Sequence, residues 1–402
     1  MITRLIVKNF KALRDVEVNL TRIHVLIGPN DSGKTSILDA LAAICRSVDH
    51  DLSEAFLGSW GGSELVWTGK FGVPVVIEVA FDDGPVIGYG FHVLFAERYR
   101  REALVEEEII RKEGQEPRRL GGFSQEARDQ SSTRVKQELQ GPSWENVDSS
   151  DLQGVKKRLA GVHYYRWDPR FLALPVAPDT KRSFRMEPNG FGLALCLDNI
   201  LGDDPRQFIK LQERFAKVFP HITSVRLSPE RDAYRAAVDD PNRITVLQKA
   251  DGKGLYFKLR DTDQWVPASQ VSDGVLLVLA YLAILYLPQE KRPRVLLIEE
   301  PENGIHPKRL RDVLAILREL IQEQSHTQVV LTTHSPYALD LFSPKEVTLC
   351  TMRDNGEVRT TRLSESEAVR GESGVFTLGE IWTGLGDERI AQSQEKTKRG
   401  AQ

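Results

Sequence analysis

A short segment near the N-terminus constrains the fold of this chain more than any other feature. Residues 28–35 read Gly-Pro-Asn-Asp-Ser-Gly-Lys-Thr and fit the pattern G-x-x-x-x-G-K-[ST]. Residues 23–27 before it are apolar and rich in β-branched side chains, which predicts a buried strand. Residues 35–44 after it carry apolar side chains at helical spacing, which predicts a helix. A chain that turns from strand to helix through two glycines can direct backbone N–H groups at an anion.

This loop predicts a binding site for a nucleoside triphosphate and Mg²⁺. Lys34 is expected to reach the β- and γ-phosphates, and the Thr35 hydroxyl is expected to ligate Mg²⁺. An ordinary glycine-rich turn is the alternative, and the strand and helix on either side favour the nucleotide site. The residues expected to hold the nucleotide are Asn30, Asp31, Ser32, Gly33, Lys34, Thr35 and Ser36.

An acidic segment in the second half of the chain predicts the catalytic chemistry. Residues 295–298 are apolar and predict a central parallel strand, and Glu299 and Glu300 follow at its carboxyl end, where ligands bind in such sheets. Glu299 is expected to hold Mg²⁺, directly or through water, opposite Thr35. Glu300 is expected to act as the general base that orients the attacking water. An acidic turn after an ordinary strand is the alternative, and the upstream loop favours the catalytic reading.

A second buried strand, residues 328–332, ends in the polar cluster Thr333-His334-Ser335. His334 is a candidate to hydrogen-bond the γ-phosphate or the attacking water. An ordinary histidine after a strand is the alternative. A zinc site formed with His306 is a further possibility, and we reject it because neither HExxH nor CxxC spacing is found.

Residues 272–274, Ser-Asp-Gly, precede a long apolar segment that predicts a buried helix. They are suited to cap that helix, and the N–H groups at the same helix end would also bind an anion. Their position shortly before the acidic strand favours nucleotide binding by Ser272 and Gly274.

Composition excludes several classes of protein. No apolar run of the 402 residues reaches the roughly 18–20 residues of a membrane span. Residues 1–5 lack a signal-peptide core, so we expect a cytoplasmic protein with no membrane partner. Cys45, Cys196 and Cys350 lack paired spacing and are expected to be buried thiols. The net charge of −3 gives no overall attraction to nucleic acid.

The distribution of charged, apolar, glycine and proline residues along the chain predicts four segments. Residues 1–96 form the N-terminal part of an ATPase head with the phosphate loop, and residues 226–390 form its C-terminal part. Residues 97–225 form a charged and helical insertion, of which residues 97–157 are expected to be mobile. Residues 391–402 are expected to be a disordered tail.

The order of these motifs resembles the ATP-binding-cassette heads of the RecF, SMC and overcoming-lysogenisation-defect (OLD) ATPases. The stretches I-x-x-L-x-V-K-N-F-K, V-L-I-G-P-N-D-S-G-K-T-S, E-E-P-E-N-G-I-H-P and L-T-T-H-S-P are close to those of small OLD-like ATPases. The resemblance covers residues 1–340 apart from the charged insertion. It implies an α/β fold, a P-loop NTPase of ATP-binding-cassette type, with a mixed sheet, helices on both faces, and the insertion.

The resemblance also implies a homodimer that forms around two ATP molecules. Lys34 and Thr35 of one subunit and Ser272 and Gly274 of the other then hold each nucleotide, and residues 302–303 lie near the partner subunit. ATP favours the closed dimer and hydrolysis releases it.

This sequence departs from the family pattern in three ways. Glu299 stands where most cassette proteins have Asp, and the signature is the shortened form V-S-D-G-V. The glutamine of the family's Q-loop has no identifiable counterpart. The shortened signature suits the OLD-like branch and argues against a transporter subunit.

These observations predict an ATPase, converting ATP and water to ADP and phosphate, that switches a separate protein effector in DNA maintenance or in defence against phage. OLD-like nucleases carry a Toprim domain after the cassette, whereas residues 335–402 are too few for one and lack a D-x-D pair. Within them, residues 376–386 are more apolar than a tail requires and predict a closing helix or a docking segment.

A nucleotide-gated DNA clamp is an alternative function, motivated by the basic runs at residues 98–101, 118–119 and 156–158. Acidic residues interleave with these runs, which favours solvated helices over a DNA surface. A transporter ATPase subunit is the least favoured alternative.

Overall fold

The chain folds into two units. A computed structural model describes residues 1–56, 65–67, 72–95, 103–119, 132–137, 149–179, 183–236, 247–262, 264–324 and 326–392. The first unit comprises Met1–Val162, Arg294–Leu297 and His326–Gln402, and the second comprises His163–Pro293 and Ile298–Ser325. The basic run predicted at residues 98–101 lies outside the described residues.

The strands are β1 (Ile2–Phe10), β2 (Leu13–Asn19), β3 (Ile23–Ile27), β4 (Val75–Phe81), β5 (Val86–Phe95), β6 (Ala103–Lys112), β7 (Arg118–Arg119), β8 (Val162–Tyr165), β9 (Ile222–Ala236), β10 (Leu247–Leu259), β11 (Trp265–Pro267), β12 (Val295–Glu299), β13 (Gln328–Thr332), β14 (Val347–Met352) and β15 (Val358–Arg362). The helices are α1 (Lys34–Arg46), α2 (Leu52–Ala55), α3 (Arg134–Gln137), α4 (Ser149–Leu159), α5 (Pro169–Leu172), α6 (Leu193–Asp203), α7 (Pro205–Val218), α8 (Asp273–Leu285), α9 (Pro307–Glu323), α10 (Pro336–Leu339), α11 (Glu367–Glu372) and α12 (Leu378–Leu385). Among the described residues, no helix is long and apolar enough to cross a membrane.

An antiparallel sheet in the first unit has the strand order β2-β1-β4-β5-β6-β7. Val7 on β1 lies opposite Val16 on β2 and Ile77 on β4. Buried and half-buried residues alternate along β4, as expected for a strand that packs one face on a core.

A mixed sheet has the strand order β15-β14-β3-β13-β12-β8. β3 pairs in parallel with both β13 and β14, and β15 is antiparallel to β14. Every residue of β3, β12 and β13 is buried, which is typical of parallel strands covered on both faces. The boundary between the units falls within β12, because Arg294–Leu297 belong to the first unit.

Helix α1 is buried on nearly all sides because it packs against strands of both sheets in the first unit, including β1, β4 and β13. The run Ala40-Leu41-Ala42-Ala43 provides the small side chains that such close packing requires. The three cysteines are buried, which confirms that prediction.

Helix α8 forms the core of the second unit. Its residues from Val275 to Leu285 are all buried, and it contacts α5, α6, α7 and α9. A helix that is apolar on every side must be enclosed by other elements, so the predicted buried helix is confirmed. β9, β10 and β11 form a separate antiparallel sheet, and α7 packs against β9.

The charged insertion differs from its prediction where the structure describes it. Residues 103–112 form β6 within the antiparallel sheet, although we expected a mobile and partly helical segment. The charges on β6 are matched across strands, since Arg111 pairs with Glu78 at 2.8 Å and Glu107 pairs with His92 at 3.2 Å. Cross-strand pairs of opposite charge stabilise a sheet. The local sequence shows the dense charge of this segment but not its partners on other strands, so the prediction was wrong here. Helix α4 agrees with the helical part of the prediction.

The predicted closing helix is observed as α12. The Thr377 side chain accepts a hydrogen bond from the Glu380 N–H, and the Glu380 carboxylate accepts one from the Thr377 N–H, which forms a capping box. Gly379 N donates to Asp340 Oδ1 at 2.9 Å, which joins α12 to the residue after α10. Ala391, the first residue of the predicted tail, is buried. Residues 393–402 lie outside the described residues.

Candidate functional site

The predicted phosphate loop connects β3 to α1 in the first unit. Three of its residues have left-handed backbone conformations, with φ of 135° at Gly28, 63° at Asp31 and 87° at Gly33. A Cβ atom at Gly28 would lie 2.0 Å from the Cys350 carbonyl oxygen, so only glycine fits there. Gly33 is the N-cap of α1 and provides no side-chain cap to the first turn. The N–H groups of that turn therefore suit an anion.

Lys34 lies across the loop. Its ammonium donates to the carbonyl oxygens of Gly28 at 2.9 Å and Pro29 at 2.7 Å, and its side chain is buried. Thr35 is exposed and Ser36 is half-buried. The Lys34 cation, the tight loop at Gly28 and the exposed Thr35 hydroxyl are together suited to a triphosphate with Mg²⁺.

The predicted His334 lies at the same sheet edge as the phosphate loop. β3 and β13 are parallel, so their carboxyl ends meet at one edge. Thr333 N donates to Leu26 O at 3.1 Å, and Ser335 N donates to Thr333 Oγ1 at 3.0 Å. These bonds hold the backbone on both sides of His334, which is half-buried.

Cys350 lies behind the phosphate loop but is not suited to be a nucleophile. Burial raises the pKa of its thiol to about 12, and the nearby Lys34 ammonium opposes that shift. The thiol therefore stays protonated, and its backbone carbonyl shapes the loop at Gly28.

Glu299 lies in the second unit and is 7% exposed. The Tyr164 hydroxyl donates a hydrogen bond to its Oε1 atom. Arg166 Nε lies 3.5 Å from its Oε2 atom. A buried carboxylate needs such partners, and neither was identified from the sequence. The only signal was the sequence of the strand and the residue after it, in which two tyrosines are followed directly by an arginine.

Glu300 has φ of 47°, a left-handed conformation that is uncommon for a residue other than glycine. Asn303 Nδ2 donates to its Oε2 atom at 2.6 Å, and Asn303 N donates to its carbonyl at 3.0 Å. Such strained residues cluster at functional sites. The backbone at the predicted general base therefore differs from that of an ordinary strand end.

The segment 272–274 begins α8. Ser272 occupies the N-cap position without a side-chain capping hydrogen bond, and it is exposed. A Cβ atom at Gly304 would lie 3.2 Å from Asp273 Cβ, so this segment packs on the turn that follows Glu300. An exposed hydroxyl at a helix end without a side-chain cap suits an anion, as the sequence predicts.

The described residues contain no cluster of three or more His, Cys, Asp or Glu side chains that could hold a metal ion. The predicted magnesium ligands are instead one hydroxyl and one carboxylate. Mg²⁺ is commonly held by one or two protein oxygens with phosphates and water, so these donors fit it.

The predicted basic runs are partly neutralised. Lys156 lies 3.0 Å from Asp49, and Arg158 lies 3.2 Å from Asp83. Arg119 Nε lies 2.8 Å from Glu107. These pairs favour the solvated-surface alternative over a DNA surface.

A family profile described as "AAA domain, putative AbiEii toxin, Type IV TA system" matches residues 23–340. The chain belongs to this AAA family. The matched part of this AAA domain begins at β3 and includes the phosphate loop, the start of α8, the acidic strand and His334. Comparison with curated proteins finds no match.

The AAA domain is similar to solved SMC heads. An SmcHead bound to the C-winged helix domain of ScpA has 15% identity and a TM-score of 0.52, over 90% of this chain and 99% of that chain. An SMC head from Thermotoga maritima has 13% identity and a TM-score of 0.43, over 90% of this chain and 98% of that chain. An Smc head with an extended coiled coil, bound to the C-terminal domain of ScpA and derived from Pyrococcus furiosus, has 14% identity and a TM-score of 0.47. That match covers 92% of this chain and 98% of that chain.

The family and the first of these structures confirm the predicted fold, an α/β P-loop ATPase fold like that of an SMC head. The closer likeness to the OLD branch, the four-segment division and the roles of individual site residues stay predictions.

Proposed function

We propose that this AAA domain binds ATP with Mg²⁺ at the loop of residues 28–35 and hydrolyses it. The geometry of that loop carries the proposal, because it combines left-handed glycines, a buried Lys34 and a start of α1 without a side-chain cap. Thr35 and Glu299 would hold Mg²⁺, which would neutralise developing phosphate charge.

We propose Glu300 as the base that orients the attacking water and His334 as the group that contacts the γ-phosphate. The sheet order supports this assignment, because β12 follows β13 and β13 follows β3. Gln328 N donates to Arg294 O at 2.8 Å, which joins β13 to the start of β12. The left-handed backbone at Glu300 supports a functional role for that residue.

We propose further that two copies close around two nucleotides. Ser272 and Gly274 of one copy would complete the site of the other, and the exposed, uncapped start of α8 supports that role. The family is described as a putative toxin of a toxin–antitoxin system, and a similar SMC head is bound to the C-winged helix domain of ScpA. By analogy, a separate protein would respond to the closed dimer.

The test is sedimentation of wild type and Glu300→Gln with and without ATP and Mg²⁺. We expect wild type to dimerise transiently and Glu300→Gln to stay dimeric, because hydrolysis no longer releases the partner. Glu323→Gln is the control, since that carboxylate pairs with Arg292 at 3.2 Å. A Glu300→Gln protein that stays monomeric with ATP contradicts the proposed switch.

A further inference from the structure

The edge strand β8 and the residue directly after it each place one side chain against the buried Glu299 carboxylate. Tyr164 and Arg166 are two residues apart in extended chain, so their side chains emerge on the same face. Tyr164 donates its hydroxyl hydrogen to Oε1, and Arg166 Nε lies 3.5 Å from Oε2. Each carboxylate oxygen therefore faces one donor from this segment.

We propose that Tyr164 and Arg166 are positioning residues that set the metal affinity of Glu299 in opposite directions. Tyr164 holds the carboxylate in the orientation that a metal needs, and Arg166 competes with the metal for Oε2. This inference rests on the proposed function, in which Glu299 is a ligand of Mg²⁺.

Tyr164 orients the carboxylate without opposing a cation. Its hydroxyl is uncharged and donates to Oε1, not to Oε2, which is the atom that Arg166 faces. Hydrogen-bond partners behind a metal ligand fix its rotamer and commonly change metal affinity by about 10- to 100-fold when removed. The longer side chain of Glu299, where related proteins carry Asp, has one more rotatable bond to restrain.

Arg166 acts differently because it is charged. Its guanidinium lies beside the buried Glu299 carboxylate and offsets part of the cost of burying that charge. A divalent cation at Oε2 would repel the guanidinium, so Arg166 must withdraw when the metal binds. Its side chain is 70% exposed, so it can withdraw into water at little cost.

The segment that carries the two residues is firmly held. Arg166 N donates to Pro188 O at 2.8 Å. The Trp167 ring lies 4.8 Å from the Tyr165 ring and 4.6 Å from the Tyr281 ring on α8, measured between centroids. These contacts fix the backbone from which Tyr164 reaches Glu299, as a supporting residue requires.

The experiment is an electron paramagnetic resonance titration of Mn²⁺ with the full-length protein saturated by adenylyl imidodiphosphate. We expect Tyr164→Phe to weaken Mn²⁺ binding about tenfold. We expect Arg166→Gln to strengthen it about two- to fivefold, the range of an exposed ion pair. A merely structural role would not move the two variants in opposite directions.

Two matched controls test whether the effect belongs to Glu299. Tyr165→Phe removes the neighbouring hydroxyl, which contacts His163 Nδ1 at 3.0 Å. Arg170→Gln removes an exposed guanidinium that pairs with Asp168 at 2.6 Å. Both are expected to leave Mn²⁺ affinity unchanged. Exposed Arg166 can be replaced without disturbing a core, so the test holds even if Tyr164→Phe folds poorly.

Glu299→Gln separates this inference from the proposed function. If Glu299→Gln binds Mn²⁺ as tightly as wild type, then Glu299 is not a metal ligand and the proposed function loses that role. If Glu299→Gln weakens Mn²⁺ binding while Arg166→Gln leaves it unchanged or weaker, the competition by Arg166 is refuted. An unchanged affinity in folded Tyr164→Phe refutes the orienting role of Tyr164.

Discussion

Replacement of Gly28 by alanine tests whether the phosphate loop has the geometry described. Gly28 has φ of 135°, and its new Cβ atom would lie 2.0 Å from the Cys350 carbonyl oxygen and 3.1 Å from Ser32 Oγ. Neither backbone can move away easily, because β3 and β14 are paired in parallel, with Leu349 opposite Ile27. The loop must therefore distort.

The expected cost has two parts. A left-handed backbone at a residue other than glycine costs about 1–3 kcal/mol. Overpacking against rigid neighbours costs a further ~1–3 kcal/mol, so the free energy of unfolding of the first unit should fall by about 2–6 kcal/mol. Displacement of the loop by about 1 Å should also lower the hydrolysis rate by roughly 100-fold.

Gly356→Ala is the matched control. Gly356 has φ of 77°, and no heavy atom lies within 4 Å of the position that a Cβ would take. Its substitution should cost only the conformational part, about 1–3 kcal/mol, and leave ATP binding intact. Urea unfolding followed by circular dichroism measures both variants. Equal losses of unfolding free energy in the two variants, or wild-type nucleotide affinity in Gly28→Ala, would refute the close contact with Cys350.

Three further predictions concern titration. Burial, with a smaller effect of a nearby arginine, lowers the pKa of His24 from 6.5 to about 3, so only the unfolded chain takes up a proton between these values. Stability should fall by about 1.4 kcal/mol per pH unit on acidification below pH 6.5, and His24→Gln should reduce that slope in urea unfolding. Contacts from His92 and Arg111 lower the pKa of Glu78 from 4.5 to about 2. The stabilisation from these contacts is complete above pH 4.5 and lost towards pH 2. Glu78→Gln should therefore lower the free energy of unfolding by about 1–3 kcal/mol at pH 7. A difference in unfolding free energy between the variant and wild type that stays constant down to pH 2 would count against the pairing. Burial raises the pKa of Cys350 to about 12, so a thiol reagent should modify it only on unfolding, and rapid labelling of the native protein would contradict its burial.

The parts of the fold that sequence predicts are those fixed by local physics. Residues 28–35 contain the glycines that a left-handed loop needs, and the runs 23–27 and 328–332 are apolar enough to demand burial on both faces. These features determine β3, α1 and β13, and with them the position of His334.

Other features depend on contacts between distant residues. The dense charge of β6 suggests a solvated segment as long as its partners on other strands are unknown. Those partners, Glu78 and His92, lie earlier in the chain. Tyr164 and Glu299 are separated by 135 residues, so their hydrogen bond has no local signal. The left-handed backbone of Glu300 likewise follows from its turn and not from its residue type.

The most direct test of the central claim is a single-turnover measurement with radiolabelled ATP, Mg²⁺ and excess protein. The account predicts that Lys34→Ala fails to bind ATP. Glu300→Gln should bind ATP as wild type does and hydrolyse it at least about 100-fold more slowly, the usual contribution of a general base. Hydrolysis by Glu300→Gln at the wild-type rate would contradict the account.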